Sequence, residues 1–433
     1  MPFPARGLAE WLAHLESLHP RGQAGIELGL ARVMQVKSRL AQAQPFPVIT
    51  VAGTNGKGST CAMLERILRC AGYRTGLYTS PHLLEYNERV RIGGAPVTDD
   101  ELCAAFARVE AARLEVPLTY FEFGTLAAWE VFAARQPEVV ILEVGLGGRL
   151  DATNVYDPDC AIVTSIALDH MDFLGNTREA IGREKAGICR AGVPLVCGDP
   201  DPPDSIAQVC RSAGADFWLI GRDFGFLRQE GQWQYWGSGR GNAARKLGGL
   251  AFPALRGARQ LHNASCVIAA LDALKQRLPV AAQDIRCGLA EVEVAGRCQV
   301  IPGCPQIVLD VAHNPEAAQA LAASLGDMGF ARKTWAVFGC MADKDFAGVI
   351  AALGQRVDQW LPCDLPGPRA ARAVDLATSF ENVGAGKTAP LIFPTPLEAF
   401  AYARENAEPD DRILVFGSFL TVADVMRFLG RKA

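Results

Sequence analysis

The sequence predicts an α/β fold arranged as two successive domains. Short apolar runs alternate with segments of helical periodicity from residue 47 to about residue 221, and the alternation resumes at residue 306. Strands and helices that alternate in this way form a parallel sheet with helices packed on it. The chain has 433 residues, and since single cores stop growing near roughly 250 to 300 residues, we expect two domains.

Each strand is predicted from an apolar run. The first domain has such runs at residues 47–51, 75–79, 138–144, 160–166 and 193–197, and an alternating aromatic pattern at residues 224–241 predicts a small antiparallel hairpin added to it. The second sheet is predicted from runs at residues 306–311, 334–338, 360–363, 391–393 and 412–416. A helical pattern at residues 280–292 precedes the boundary, which we expect within residues 293–301, giving domains of residues 1–295 and 296–433.

Composition and charge exclude several functional classes. Hydrophobic residues make up 49% of the chain and charged residues 21%, as in globular proteins and unlike disordered ones. A net charge of −4 without long runs of one sign argues against a nucleic-acid partner. No apolar run approaches the roughly 18 residues of a membrane span, and the N-terminal segment lacks the apolar core of a signal peptide. The thirteen cysteines are scattered without C-x-x-C pairs, which favours buried thiols in a reducing cytoplasm.

The strongest local motif is a glycine-rich turn between a strand and a helix. Residues 48–60 read V-I-T-V-A-G-T-N-G-K-G-S-T. Backbone N–H groups of such a loop and of the following helix start bind phosphates, while Lys57 reaches the terminal phosphates and Ser59 or Thr60 approaches Mg²⁺. The loop departs from G-x-x-x-x-G-K-[ST] because the first glycine is absent and Gly58 separates lysine from serine. A tight turn with a surface lysine is the alternative, but the flanking strand and helix favour phosphate binding.

A second motif places a carboxylate in an apolar strand. Residues 140–154 read V-I-L-E-V-G-L-G-G-R-L-D-A-T-N, with Glu143 inside the strand. A buried carboxylate is costly unless a cation compensates it, and the glycine-rich loop marks the carboxyl end of the strand, where α/β proteins bind ligands. Glu143 is therefore a candidate metal ligand, and a partly exposed glutamate on an edge strand is the alternative. The loop is not a dinucleotide fingerprint, because Leu150 occupies the third glycine position.

Other polar residues follow strands or open helices. His170 ends T-S-I-A-L-D-H and is either a metal ligand or a core histidine whose ring nitrogens are hydrogen-bonded within the protein. Lys185, in R-E-K-A-G-I, lies in a small apolar context that lowers a lysine pKa, although a helix-surface ion pair is the plainer interpretation. Weaker clusters are S-P-H-L from Ser80, Q-L-H-N at residues 260–263, G-R at residues 296–297 and D-V-A-H-N-P at residues 310–315, where asparagine before proline is also a helix-cap pattern.

In this order, the segments together resemble the folylpolyglutamate synthase family of the Mur ligase superfamily. The most specific motifs are G-T-N-G-K-G-S from Gly53, S-P-H-L from Ser80, N-E-R-V from Asn87, E-V-G-L-G-G-R-L-D-A-T-N from Glu143, L-D-H-x-x-x-L-G from Leu168, E-K-A-G-I from Glu184 and A-H-N-P from Ala312. Matching stretches run from residue 29 to D-K-D at residues 343–345 and cover most of the chain. Val311, where the family has glycine, and Ala295, where it has proline, are departures.

The resemblance implies an N-terminal P-loop Mur-ligase-type ATPase domain and a C-terminal Rossmann-like α/β domain. It assigns ATP binding to Thr54, Asn55, Gly56, Lys57, Gly58, Ser59, Thr60, Asn263, Arg297, Asp310 and His313. It assigns two Mg²⁺ ions to Ser59, Ser80, Glu143, His170 and a Lys185 that is N6-carboxylated to a carbamate. It assigns the pterin substrate to Leu30, Arg32, Ser80, His82, Phe121, Glu122, Phe123, Asp151, Ala152, Thr153 and Asn154, and roles in catalysis to Lys57, Lys185 and His313.

The implied activity is ATP-dependent ligation of L-glutamate to dihydropteroate and to tetrahydrofolate through an acyl phosphate, by a cytoplasmic monomer. A Mur-type peptidoglycan ligase is one alternative, which the S-P-H and E-K-A-G contexts disfavour and which would be expected to carry a UDP-binding domain before the loop. An ATP-sensing regulatory protein is another, and it would not need an amine acceptor. The sequence identifies no base for the glutamate amine and does not separate addition of the first glutamate from later additions.

Overall fold

The computed structural model describes residues 7–19, 26–40, 43–239, 244–257, 259–383 and 388–430. The chain divides into two compact units. The first unit comprises Met1–His82, Tyr86–Pro253 and Leu261–Val292, and the second comprises Leu83–Glu85, Ala254–Gln260 and Glu293–Ala433. None of the described helices has both the length and the apolar character that crossing a membrane requires.

Helices and strands alternate through most of the chain. The helices are α1 Leu8–Ser17, α2 Ala31–Leu40, α3 Lys57–Cys70, α4 Asp99–Arg113, α5 Tyr120–Arg135, α6 Met171–Leu174, α7 Arg178–Ala186, α8 Asp204–Ala213, α9 Gln260–Ala273, α10 Ala282–Glu291, α11 Pro315–Asp327, α12 Phe346–Leu353, α13 Ala373–Val383, α14 Pro396–Asn406 and α15 Phe419–Phe428. The strands are β1 Val48–Ala52, β2 Thr75–Tyr78, β3 Val90–Ile92, β4 Ala95–Pro96, β5 Val139–Glu143, β6 Cys160–Val163, β7 Pro194–Cys197, β8 Asp216–Leu219, β9 Phe224–Arg228, β10 Trp233–Gly237, β11 Arg245–Leu250, β12 Gln299–Ile301, β13 Gln306–Asp310, β14 Thr334–Phe338, β15 Gln359–Pro362 and β16 Arg412–Phe416.

The first unit is built on an eight-stranded sheet in the order β4-β3-β2-β5-β1-β6-β7-β8. From β2 to β8 all neighbouring strands are parallel, whereas β3 and β4 are antiparallel additions at one edge. The five strands predicted for this domain are all present, and they are buried along most of their length. Since β1 lies between β5 and β6, the loops that follow these three strands leave the same edge of the sheet at its centre.

A three-stranded antiparallel sheet, in the order β11-β10-β9, is also part of the first unit. The sequence predicts only a hairpin over residues 224–241, of which residues 240 and 241 lie outside the described part, so the third strand is a correction. In β11 two charged residues, Arg245 and Lys246, and the pair Gly248–Gly249 obscure the period-two pattern that identifies a strand.

The second unit has a five-stranded sheet in the order β12-β13-β16-β14-β15. Alternate residues of β14 enter two cores on opposite faces: Ala336 and Phe338 on one, Trp335 and Val337 on the other. The strand predicted at residues 391–393 is reduced to a single bridge from Phe393 to Cys363.

Candidate active site

The loop after β1, residues 53–59, is called here the nucleotide loop. Gly53 has φ +145° and Gly56 has φ +88°, values that side chains of L-residues rarely adopt. A Cβ at Gly53 would clash with Thr164 Oγ1, and one at Gly56 would lie 2.6 Å from Asn263 Oδ1. Both glycines are therefore needed for conformation and for space. Gly56 also directly precedes α3. The backbone N–H groups of the first helical turn, which have no acceptor within the helix, therefore point towards the loop.

Two hydroxyl residues after β6 hold this loop in place. Thr164 Oγ1 donates to the carbonyl of Asn55 at 2.6 Å. Ser165 accepts twice, through its carbonyl from Thr54 N at 2.8 Å and through its hydroxyl from Asn55 N at 3.2 Å. No role for Thr164 or Ser165 follows from the sequence, in which the signal is only that polar residues end an apolar strand. Their function is to fix the conformation of the nucleotide loop.

Two lysines donate to one carbonyl of the nucleotide loop. Lys57 Nζ lies 3.0 Å from the Gly53 oxygen and 3.2 Å from the Thr54 oxygen. Lys185, from the last turn of α7, reaches the same Gly53 oxygen at 3.0 Å. Lys185 is only 5% exposed, so its interpretation as a helix-surface ion pair is wrong. The ion pair of this segment instead joins the partly buried Glu184 to the exposed side chain of Arg149.

The environment of Lys185 favours its neutral amine. Burial, and next the charge of Lys57, lower the pKa of Lys185 to about 7, although Asp169 and Asp151 act in the opposite direction. A neutral amine near pH 7 is nucleophilic, whereas an ordinary lysine is protonated there. Asp169 was quoted in the motif but given no role, and its effect on Lys185 becomes visible only in the folded chain.

The candidate metal ligands of the first unit lie at or near the carboxyl-terminal ends of the parallel strands, as the nucleotide loop does. Glu143 ends β5 between β1 and β2, so it is not on an edge strand, and it is 4% exposed. Its Oε2 accepts from the backbone N of Ser80 at 3.2 Å. His170 is partly exposed, has φ +51° and donates its backbone N–H to Asp169 Oδ1 at 2.9 Å. Ser59 is buried in the first turn of α3, beside Thr60. Carboxylate and hydroxyl oxygens suit a hard divalent cation, and an imidazole nitrogen is a ligand that borderline divalent cations prefer.

The loop at residues 145–154 is organised by its own side chains. Asp151 accepts from Leu146 N at 2.9 Å and from Thr153 Oγ1 at 2.6 Å, and burial raises its pKa. Asn154 Nδ2 donates to the carbonyls of Arg149 at 3.0 Å and Gly187 at 3.1 Å. Ala152 and Thr153 are buried. These predicted substrate residues thus shape the loop in the described structure.

Four other predicted substrate residues lie on α5, on α2 and just before α2. Arg32 donates to both carboxylate oxygens of Glu122, at 3.2 and 3.0 Å, and Glu122 caps α5. Leu30 packs at the margin of the adjoining core. Phe121 lies against Gly145, where a Cβ would be 2.6 Å from its ring.

Two other predicted substrate residues are already engaged. Phe123 is fully buried, with its ring centroid 5.8 Å from that of Phe106, so it is a core residue in this structure. His82 Nδ1 accepts from Arg89 Nε at 2.8 Å, which fixes the protonated nitrogen of a neutral ring as Nε2.

The second unit holds its candidate residues in the loop after β13. Asp310 accepts backbone N–H groups from Cys298 and Ala312, each at 2.7 Å. Burial raises the pKa of Asp310, against the opposing charge of Arg297. His313 Nδ1 lies 2.8 Å from the Val311 carbonyl, which can only accept, so the neutral ring carries its hydrogen on Nδ1 and leaves Nε2 as an acceptor.

Arg297 and Asn314 complete this group. The Arg297 guanidinium lies 5.6 Å from the ring centroid of Phe419. Asn314 accepts from Ala317 N at 2.9 Å and caps α11 ahead of Pro315, as the asparagine–proline pattern predicts.

Comparison with known proteins identifies both units. Residues 51–195 match the Mur ligase middle domain, and residues 296–419 match the glutamate ligase domain of Mur ligases. The chain is 44% identical to the dihydrofolate synthase/folylpolyglutamate synthase of Escherichia coli strain K12, with 99% of this chain and 97% of that protein covered.

Solved structures give the same result. E. coli FolC in complex with DHPP and ADP superposes with a TM-score of 0.91 at 44% identity, covering 99% of each chain. A bifunctional folylpolyglutamate synthase/dihydrofolate synthase with Mn, AMPPNP and L-glutamate bound has a TM-score of 0.89 at 45% identity, covering 98% of each chain. The predicted fold class and the resemblance inferred from the motifs are confirmed.

Proposed function

The chain belongs to the dihydrofolate synthase/folylpolyglutamate synthase family of Mur ligases, and we propose that it uses ATP to ligate L-glutamate to dihydropteroate and to tetrahydrofolate. The observation that carries this proposal is the full-length similarity to such enzymes in a chain whose nucleotide loop, Glu143 and Lys185 are folded onto one sheet edge. Similar proteins were solved with DHPP and ADP and with Mn, AMPPNP and L-glutamate.

The reaction consists of two substitutions that need no nucleophile from the protein. The pteroate or folate carboxylate attacks the γ-phosphorus of ATP, the bond to the β-phosphate oxygen breaks, and ADP leaves. The neutral glutamate amine then attacks the carbonyl carbon of the acyl phosphate, the carbon–oxygen bond breaks, phosphate leaves, and the nitrogen loses one proton as the amide forms. Phosphoryl transfer depends mainly on positioning and on charge neutralisation. We assign these tasks to Lys57 and to the backbone N–H groups at the start of α3 in the first unit, and to Arg297 in the second.

The donor set fits magnesium. Glu143 is a buried carboxylate at the end of a central strand, and burying a carboxylate is costly unless a cation compensates its charge. Glu143, Ser80, His170 and Ser59 would hold the ion or ions. When bound, Mg²⁺ neutralises charge on the phosphates and on the transferring phosphoryl group.

We further propose that Lys185 is carboxylated. The neutral amine adds to CO₂, a nitrogen–carbon bond forms, and one proton is released, which converts the side chain into an anionic carbamate. Support comes from the burial of Lys185, its pKa near 7 and the neighbouring positive charge of Lys57, which would compensate the carbamate. The carbamate would be a further oxygen ligand for the cation.

His313 is assigned to orienting the phosphate or the acyl phosphate. Its Nδ1 donates to the Val311 carbonyl, which fixes the orientation of the ring. Asp310 and Asn263 are assigned to the nucleotide. Leu30, Phe121 and the 145–154 loop are assigned to the pterin, with the side chains of the loop maintaining its shape.

The test is ADP release by the purified chain with Mg²⁺-ATP and L-glutamate. Dihydropteroate is supplied in one reaction and tetrahydrofolate in another, and glutamate is omitted from the controls. Glutamate-dependent release with both acceptors is expected. ADP release with only one acceptor would mean that the chain has only one of the two activities. ADP release that is the same with and without glutamate would indicate an ATP sensor. Folded, ATP-binding protein that releases ADP with neither acceptor would contradict the proposal. We also propose a monomer, which sedimentation equilibrium tests.

A further inference from the structure

Two cysteines far apart in the sequence meet on the surface of the first unit. Cys70 is the last residue of α3, and Cys287 lies in the middle of α10. Their sulfur atoms are 2.7 Å apart, closer than unbonded sulfur atoms usually approach, and both thiols are free. Nine of the thirteen cysteines are buried, as the sequence analysis expects, but Cys70 and Cys287 are partly exposed.

The contact is fixed by the packing of the two helices. Gly288, next to Cys287, allows α10 to lie directly against α3, because a Cβ there would be 2.6 Å from the Cα of Ile67. The ion pair between Arg66 and Glu291 joins the same two helices. A disulfide requires two cysteines whose side chains face one another at short range, and the direct packing of α10 on α3 holds the two sulfur atoms side by side.

From this geometry we infer that Cys70 and Cys287 form a reversible disulfide when the protein meets a peroxide, so that the pair is a site of oxidative modification. The Cys287 sulfur attacks one peroxide oxygen, the oxygen–oxygen bond breaks, and a sulfenic acid and water result. The Cys70 sulfur then attacks the sulfenic sulfur, the sulfur–oxygen bond breaks, and a second water leaves with the Cys70 proton. Two thiols and one hydrogen peroxide thus give one disulfide and two waters.

The electrostatics support this order of events. The Cys70 thiol donates to the Cys287 sulfur, and burial together with that hydrogen bond raises the pKa of Cys70 to about 12. Cys287 is therefore the sulfur that reacts with peroxide, while Cys70 keeps its proton until the second step. Glu291 lies beside both sulfur atoms, and the three residues together could ligate a metal ion. However, the Arg66 guanidinium donates a hydrogen bond to the Glu291 carboxylate, and its positive charge opposes binding of a metal cation there.

A second cysteine pair provides an internal comparison. Cys189 and Cys210 are also hydrogen-bonded, and that bond lowers the pKa of Cys189 to about 7. Cys189 is 7% exposed and Cys210 only 1%, so peroxide reaches this pair poorly. Exposure rather than thiol pKa is therefore expected to decide which pair is oxidised.

The test is peptide mapping of the full chain after brief treatment with hydrogen peroxide and alkylation of the remaining thiols. Trypsin cuts after Arg69, Arg74, Arg286 and Arg297, so Cys70 and Cys287 are released in residues 70–74 and 287–297, each peptide with one cysteine. We expect the linked peptides as the main disulfide product, lost on reduction with dithiothreitol. The bond should also raise the melting temperature by roughly 5 °C, because it cross-links the unfolded chain.

Cys70→Ser and Cys287→Ser should each abolish the linked product and the shift in melting temperature. Cys103→Ser, which removes another partly exposed cysteine, should retain both. Full alkylation of Cys70 and Cys287 after peroxide treatment would overturn the inference. So would a product that links Cys189 to Cys210 instead, or protein whose Cys70 and Cys287 are protected by a zinc ion that chelators remove.

Discussion

The nucleotide loop of the first unit and the loop after β13 in the second are held by contacts of different range. In the first unit, the hydrogen bond from Thr164 to Asn55 spans 109 residues of sequence and that from Lys185 to Gly53 spans 132. In the second unit, the bond from Cys298 to Asp310 spans 12 residues and that from His313 to Val311 spans two. The candidate residues of the first unit are therefore positioned by tertiary packing, whereas those of the second unit are positioned by local backbone geometry.

The largest effect is expected from removing the long-range lysine. Lys185→Met should lower glutamate-dependent ADP release by about a thousand-fold, because the proposed carbamate ligand of the metal site is lost. Lys37→Met, at another partly buried lysine of the first unit that donates to a backbone carbonyl, is the control and should stay near wild-type activity. Activity of Lys185→Met within tenfold of wild type would remove Lys185 from the mechanism.

The corresponding change in the second unit is His313→Ala. We expect kcat to fall by about a hundredfold with little change in melting temperature, because the ring is only partly buried and its hydrogen bond to Val311 lies within the loop after β13. Steady-state kinetics and a thermal melt of the same preparation measure both effects. A large loss of stability would show that His313 has a structural role instead.

Two glycines that flank α3, one before it and one after it, separate the effect of steric space from the effect of backbone strain. Gly56 and Gly72 have nearly equal φ, +88° and +91°, but only Gly56 has a neighbour within 4 Å of an added Cβ. Gly56→Ala should weaken ADP binding by about tenfold or more, whereas Gly72→Ala should cost only about 1 kcal/mol of stability. Isothermal titration of ADP into each variant measures the difference, and equal affinities would contradict the packing argument.

The smallest effect is expected at the local cap of the second unit. Asn314→Ala removes the acceptor for Ala317 N and should lower the free energy of unfolding by about 1 kcal/mol. Asn314→Asp, which keeps the acceptor, is the matched control. Denaturant unfolding of both variants tests this, and no loss in Asn314→Ala would mean that the cap is dispensable.

The same difference in range explains what the sequence could predict. The strands, the glycine-rich turn and the Asn314 cap follow from local patterns, because periodicity and turn chemistry act over a few residues. The role of Lys185 could not be obtained from its neighbours, since the partner is Gly53 and the helix-surface interpretation fits the local sequence equally well. The family resemblance supplied that assignment.

Other features were missed for the same reason. Each of these contacts joins residues more than a hundred positions apart in the sequence. They are the hydrogen bonds of the Thr164 and Ser165 hydroxyls and the contact between Cys70 and Cys287. Phe123 is the opposite case, because the family motif assigns it to the substrate while its side chain is packed in the core of the described structure. Motif position alone does not determine which way a helical side chain points.

The most direct test of the account is the state of Lys185 itself, measured by ¹³C NMR of the metal-free protein in ¹³C-labelled bicarbonate as the pH is raised. Since burial and Lys57 lower the pKa of Lys185 from 10.5 to about 7, the neutral amine that adds CO₂ is present above about pH 7 and is lost below it. We predict a carbamate resonance that grows through pH 7 and is absent from Lys185→Met. A resonance that appears only near pH 10, or that persists in the variant, would contradict the account.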